Sequence, residues 1–75
     1  MGIADPSAIK STIEELTREK DRLVEELLSL KDKYKKGKIS KEEYKEKRRR
    51  IERKIVEVMD RLVQLGFILG NVKAN

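Results

Sequence analysis

The chain has no cysteine, no histidine and no tryptophan among its 75 residues, and it has one proline. The lack of cysteine excludes disulfides, and the lack of both cysteine and histidine excludes the commonest metal sites. A domain of this size usually needs a disulfide, a metal ion or an oligomeric partner to support its small core. Oligomerisation is therefore the means of stabilisation that we expect here.

The same absences argue against an enzyme. Catalysis at neutral pH usually requires a histidine, a cysteine, a metal ion or a pair of carboxylates in a pocket. The acidic residues of this chain fall on solvent-facing positions at helical spacing, and no glycine-rich phosphate loop is present. We predict no catalytic residue, no cofactor, no metal and no small-molecule substrate.

Long apolar runs are also missing. No stretch approaches the ~20 apolar residues of a membrane-spanning helix, and the amino terminus lacks the apolar core of a signal peptide. We therefore expect a soluble, cytoplasmic protein. Charged residues make up 44% of the chain, and abundant Glu and Lys without Cys are typical both of hyperthermophilic proteins and of long exposed helices.

What the chain has instead is two ladders of residues at alternating spacings of four and three. This spacing puts each ladder in one narrow stripe along a helix, as in the seam of a coiled coil. The first ladder consists of Ile9, Ile13, Leu16, Lys20, Leu23, Leu27, Leu30 and Tyr34. The second consists of Tyr44, Arg48, Ile51, Ile55, Val58, Leu62, Leu65 and Leu69.

Local signals mark the ends of the two helices. Asp5 and Pro6 suit the cap and first position of a helix over about 6–36. Gly37 suits the position just after this helix, where a residue in the left-handed conformation often ends it. Ser40 and Glu43 form a capping box, which predicts a second helix from about 40 to 69, followed by a tail over 70–75. A turn of three residues, 37–39, requires the helices to be antiparallel neighbours. The whole chain, 1–75, is thus predicted to be one all-α helical-hairpin domain.

The two sides of the predicted seam differ. On one side, Glu19 can form an ion pair with Arg61, and Glu26 can form one with Lys54. The other side is apolar, and an isolated hairpin cannot bury it, which usually marks an interface. We predict a homodimer that forms an antiparallel four-helix bundle through this side. The predicted interface residues are Val24, Leu28, Val56, Met59, Val63 and Gly66, the last allowing close approach of another backbone.

Two ladder positions are charged. Lys20 and Arg48 either specify register and oligomeric state as buried polar residues, or extend their charged ends to solvent from a thin bundle. We favour the second interpretation.

The turn region is strongly basic. Residues 31–54 carry 13 Lys and Arg against 5 Asp and Glu, a net charge of +8, whereas the remaining residues carry a net charge of −3. Such a region can bind phosphate backbones or an anionic membrane through charge, although it is also typical of a solvated helix. The candidate residues for an anionic partner are Lys35, Lys38, Arg49, Arg50, Arg53 and Lys54.

The segment from Tyr34 to Tyr44 resembles the turn of SHOCT-like short helical hairpins, in which an aliphatic residue is followed in order by a glycine, an Ile, a Ser or Thr, an acidic residue and an aromatic residue. Similar turns occur in coiled-coil segments of archaeal proteins. The resemblance implies an oligomerisation or interaction role without catalytic residues. Both helices here are longer than those of SHOCT hairpins.

Three functions follow as hypotheses. The first is a non-enzymatic oligomerisation, scaffolding or protein-interaction module, with a second copy or another protein as partner. The second is a small basic protein that binds nucleic acid weakly with the tip of the hairpin. The third is a peripheral membrane or filament-associated component that uses the tip on acidic lipids.

Overall fold

The computed structural model describes the backbone of residues 5–74 and the side chains of residues 5–70. Two helices account for almost all of this part of the chain: α1, Pro6–Lys35, and α2, Lys41–Ala74. They pack against each other as a hairpin with dimensions of 54 × 20 × 15 Å. The predicted all-α hairpin is confirmed.

The start of α1 has the predicted cap. The Asp5 carboxylate accepts a hydrogen bond from the Ser7 amide at 3.1 Å and another from the Ser7 hydroxyl at 2.9 Å. Pro6 follows at the first helical position, where its missing N–H has no intrahelical partner to lose. The sequence signals at this end were sufficient because capping depends on neighbouring residues alone.

The end of α1 is a Schellman motif. The amide of Gly37 donates to the carbonyl of Tyr34, and the amide of Lys38 donates to the carbonyl of Lys33 at 2.9 Å. Gly37 has a φ angle of +73°, the left-handed conformation that the motif requires and that glycine adopts without a Cβ penalty. The predicted role of Gly37 is confirmed, and the connection between the helices comprises residues 36–40.

At the start of α2, half of the predicted capping box is present. The Ser40 hydroxyl accepts a hydrogen bond from the Glu43 amide at 3.1 Å. The Glu43 carboxylate was expected to reach back to the Ser40 amide, but it lies 2.9 Å from Lys47 Nζ instead. An ion pair one turn along the helix therefore replaces the reciprocal hydrogen bond.

The predicted end of α2 is wrong. We expected Gly70 to stop the helix after Leu69, whereas α2 continues through Gly70 to Ala74. A glycine ends a helix when it adopts a positive φ, and among the described residues Gly37 alone does so. Gly70 keeps a helical conformation, because glycine permits the left-handed state without requiring it.

The core lies along the predicted seam. Leu16, Leu23 and Val58 form its centre, and partly buried apolar residues of α2 pack against them. Those residues are Ile51, Ile55, Leu62 and Leu65. These contacts agree with the predicted packing of the two ladders against each other in an antiparallel hairpin.

Alternate positions of the first ladder differ in how far the second helix buries them. The buried positions repeat every seven residues: Ile9, Leu16, Leu23 and Leu30. The alternate positions, Ile13, Lys20, Leu27 and Tyr34, are half-buried. Because each residue turns the helix by 100°, the half-buried set leans toward the apolar side of the hairpin. The second helix covers α1 unevenly and leaves that side open.

Both charged ladder positions reach solvent. The side chain of Lys20 is 34% exposed and lies 3.6 Å from the Asp21 carboxylate. The side chain of Arg48 is 45% exposed, lies 3.8 Å from Glu52 and places its guanidinium 5.5 Å from the centre of the Tyr44 ring. Within the hairpin, both residues therefore keep their charged ends in water, as the favoured interpretation predicted.

Candidate interaction surfaces

The first candidate site is an exposed surface of large apolar side chains, which we call the apolar face. Its members are Val24 and Leu28 on α1 and Val56, Met59 and Val63 on α2. Their exposed fractions range from 39% at Val24 to 70% at Val63. All five belong to the predicted interface, and the hairpin leaves every one of them accessible to a partner.

Helix geometry places these residues on one side of the hairpin. Val24 and Leu28 lie clockwise of the first ladder when α1 is viewed from its amino terminus, and Val56, Met59 and Val63 lie clockwise of the second ladder in α2. Because the helices are antiparallel, the two clockwise sides point the same way. The apolar face is therefore continuous across both helices.

Gly66 and Gly70 lie on the same side of α2. A Cβ atom built at either position would meet no atom within 4 Å outside its own helix turn. The hairpin itself therefore supplies no packing reason for a glycine inside the helix, where it costs about 1 kcal/mol relative to Ala. The predicted close approach at Gly66 remains a prediction about a second chain.

Two exposed apolar residues were missing from the predicted interface. Phe67 is 70% exposed and Ile68 is 43% exposed. Phe67 follows Val63 by four residues and so extends the apolar face toward the outer side of α2. Ile68 lies toward the opposite side of the hairpin. The four-residue spacing from Val63 was the signal that could have identified Phe67.

Each ion pair in the described part of the chain joins residues of one helix, or of α1 and its C-cap Lys36. Four of them join residues four apart in sequence: Asp32–Lys36, Glu43–Lys47, Arg48–Glu52 and Glu46–Arg50. The predicted pairs between helices, Glu19–Arg61 and Glu26–Lys54, are not among the ion pairs of these described residues. Partners one turn away on the same helix are within easier reach of a long side chain.

The side opposite the apolar face carries a shallow groove between the helices, which we call the basic groove. Its floor contains Leu30 and Ile51. Four cationic residues line it, together with Glu26 and Ser29. The cationic residues are Lys33, Lys47, Arg50 and Lys54.

The predicted anion-binding residues are divided among separate surfaces. Arg50 and Lys54 line the basic groove, where Lys33 and Lys47 were not predicted. Arg49, Arg50 and Arg53 surround Glu46 in a second depression on the outer surface of α2. Arg50 lies 3.4 Å from the Glu46 carboxylate. Pairing positions across the two helices would have identified Lys33 and Lys47.

Lys35 and Lys38 do not join either depression. Lys35 is the last residue of α1 and Lys38 lies in the turn, and both are exposed. The structure therefore divides the predicted basic tip into a groove between helices, an arginine-rich patch on α2 and two separate lysines.

Comparison with protein-family models, curated proteins and solved structures gives no match to this chain. The resemblance of the turn to SHOCT-like hairpins therefore stays a prediction. Within the described residues, neither helix contains an apolar stretch that would carry it across a bilayer.

Proposed function

We propose that the protein is a non-enzymatic oligomerisation and scaffolding module acting in the cytoplasm. Two hairpins associate through the apolar face and form a four-helix bundle with coiled-coil seams. The observation that carries this proposal is the row of five large apolar side chains left 39–70% exposed on one side of the hairpin. Exposed patches of this kind mark protein interfaces in soluble proteins.

The thinness of the core supports the same proposal. Among the described residues, six apolar side chains are buried and none is less than 2% exposed. Each large apolar side chain that moves from water to a packed interface contributes roughly 1.5–3 kcal/mol. Association through the apolar face would therefore add a second core comparable to that of the hairpin.

Sedimentation equilibrium of the unmodified protein tests the proposal directly, with a dimer expected at micromolar concentration. Val63→Glu should shift the protein to monomer, because the interface would have to bury an unpaired charge. Gln64→Glu is the matched control: it adds the same charge at an exposed neighbouring position on the outer surface of α2. A helical monomer for the unmodified protein would overturn the proposal.

The basic groove favours a second function, the binding of nucleic acid. Lys33 of α1 and three cations of α2 line one groove, and such a cluster of positive charge suits contact with a phosphate backbone. Fluorescence anisotropy with short DNA and RNA duplexes at increasing salt tests this function. Co-sedimentation with anionic vesicles, run in parallel, distinguishes nucleic acid from a membrane surface as the partner.

A further inference from the structure

We infer that the two copies of the chain associate antiparallel, with their basic turns at opposite ends of the dimer. This inference rests on the proposed function and specifies its partner as a second copy in one orientation. A two-fold axis across the hairpin, perpendicular to its length, produces this arrangement. An axis along the hairpin would instead place both turns at the same end.

The distribution of charge distinguishes the two orientations. The turn region carries a net charge of +8 and the rest of the chain −3. On the apolar side, the end near the turn carries cations that include Lys31, Lys35, Lys45 and Arg48, together with the acid Glu52. A parallel dimer brings two such ends together, whereas an antiparallel dimer brings each near the net-negative half of its partner.

The spacing of the residues on the apolar side gives an independent argument. In the antiparallel arrangement α1 packs on the partner's α1, and α2 packs on the partner's α2. A single axis can pair Val56 with the partner's Met59 on α2, and Val24 with the partner's Thr17 on α1. The axis then crosses α2 between Glu57 and Val58 and crosses α1 between Lys20 and Asp21.

These two crossing points lie at the same height in the hairpin. Counted from the Tyr34–Tyr44 stack, each is about 13–14 residues along its own helix, and both helices rise about 1.5 Å per residue. One axis therefore satisfies both helices at once. Such agreement is required of a two-fold interface, in which the same surface must be complementary to itself.

The axis also gives Lys20 a partner. Lys20 is half-buried on the side of the ladder that leans toward the apolar face, and it lies 3.6 Å from Asp21 in its own helix. A two-fold axis between these residues places Lys20 opposite the partner's Asp21, and the reverse pair forms by symmetry. In a parallel dimer, Lys20 would instead lie over apolar residues of the partner's α2.

Distance measurements between spin labels test the orientation. Because the chain has no cysteine, single substitutions give one label per chain, and double electron–electron resonance reports the distance between them. Lys38→Cys marks the turn. Two turns at opposite ends of the dimer should be about 50 Å apart, whereas two turns at the same end should be within about 30 Å.

Glu57→Cys is the matched control, since this exposed residue lies at the height of the proposed axis. Its labels should be within about 35 Å of each other in either orientation, so they report the dimer itself. A long Lys38 distance with a short Glu57 distance supports the antiparallel dimer. Two short distances overturn the orientation and leave the dimer standing. The absence of dipolar coupling at both positions overturns the dimer and with it the orientation.

Discussion

The rings of Tyr34 and Tyr44 stack with their centroids 4.5 Å apart and their planes 7° from parallel. This contact joins the last turn of α1 to the first turn of α2 and is the layer of the seam nearest the connection. Tyr44 is 8% exposed, so the stack closes this end of the core. It aligns the two ladders at this end, and farther along the seam Leu16, Leu23 and Val58 pack together in the core.

Tyr44→Ala should destabilise the hairpin by about 3–5 kcal/mol, because it removes a large buried ring and its aromatic partner contact. Tyr44→Phe keeps the ring and should cost less than about 1.5 kcal/mol. Urea denaturation followed by circular dichroism, at one fixed protein concentration, measures both changes. Equal stability of the two variants would show that the stack does not align the helices.

Gly37→Val should destabilise the fold by at least about 1–2 kcal/mol, because a β-branched residue resists the φ angle of +73° found here. No atom lies within 4 Å of a Cβ at this position, so the effect would arise from the backbone. Gly37→Asn is the control, since Asn tolerates the left-handed region best after glycine. A Val variant as stable as the Asn variant in thermal denaturation would contradict the expected strain.

Ser40→Ala should cost about 1 kcal/mol by removing the acceptor of the Glu43 amide at the start of α2. Ser40→Asp retains a capping oxygen and should stay close to the unmodified protein in stability. Glu43→Gln keeps the cap and weakens the ion pair to Lys47, so it should change stability by less than about 0.5 kcal/mol. Denaturation midpoints of the three variants measure this order, and a larger loss for Glu43→Gln than for Ser40→Ala would reverse it.

If the protein binds nucleic acid, the triple variant Lys47→Gln, Arg50→Gln and Lys54→Gln should weaken binding about tenfold or more at low salt. All three residues line the basic groove. Lys31→Gln, Lys35→Gln and Lys38→Gln together remove the same charge outside the groove and should have a smaller effect. Anisotropy titrations between 50 and 200 mM salt compare the variants, and the affinity of the unmodified protein should fall steeply over this range.

Three outcomes of those titrations would argue against the groove. Equal losses in the two triple variants would mean that net charge alone controls binding. Sub-micromolar affinity that persists in 0.5 M salt would indicate contacts other than phosphate neutralisation. A triple variant Arg49→Gln, Arg50→Gln and Arg53→Gln that loses more affinity than the groove variant would place the site on the outer surface of α2.

The sequence alone was sufficient to predict features that depend on residues close to one another in the chain. Asp5 with Pro6, the glycine at position 37 and Ser40 define three helix ends, and the hydrogen bonds in the structure confirm them. The two ladders, joined by a short turn, also predicted the antiparallel hairpin. The apolar face followed as well, because helix periodicity and antiparallel packing together decide which side each residue occupies.

Tertiary structure decided the features that depend on where the second helix lies relative to the first. It buried Ile9, Leu16, Leu23 and Leu30 more deeply than the four alternate positions of the same ladder. It brought Lys33 of α1 into one groove with Lys47 of α2. Local backbone signals act over one helical turn, whereas the packing of side chains from two helices depends on three-dimensional distances that sequence spacing does not contain.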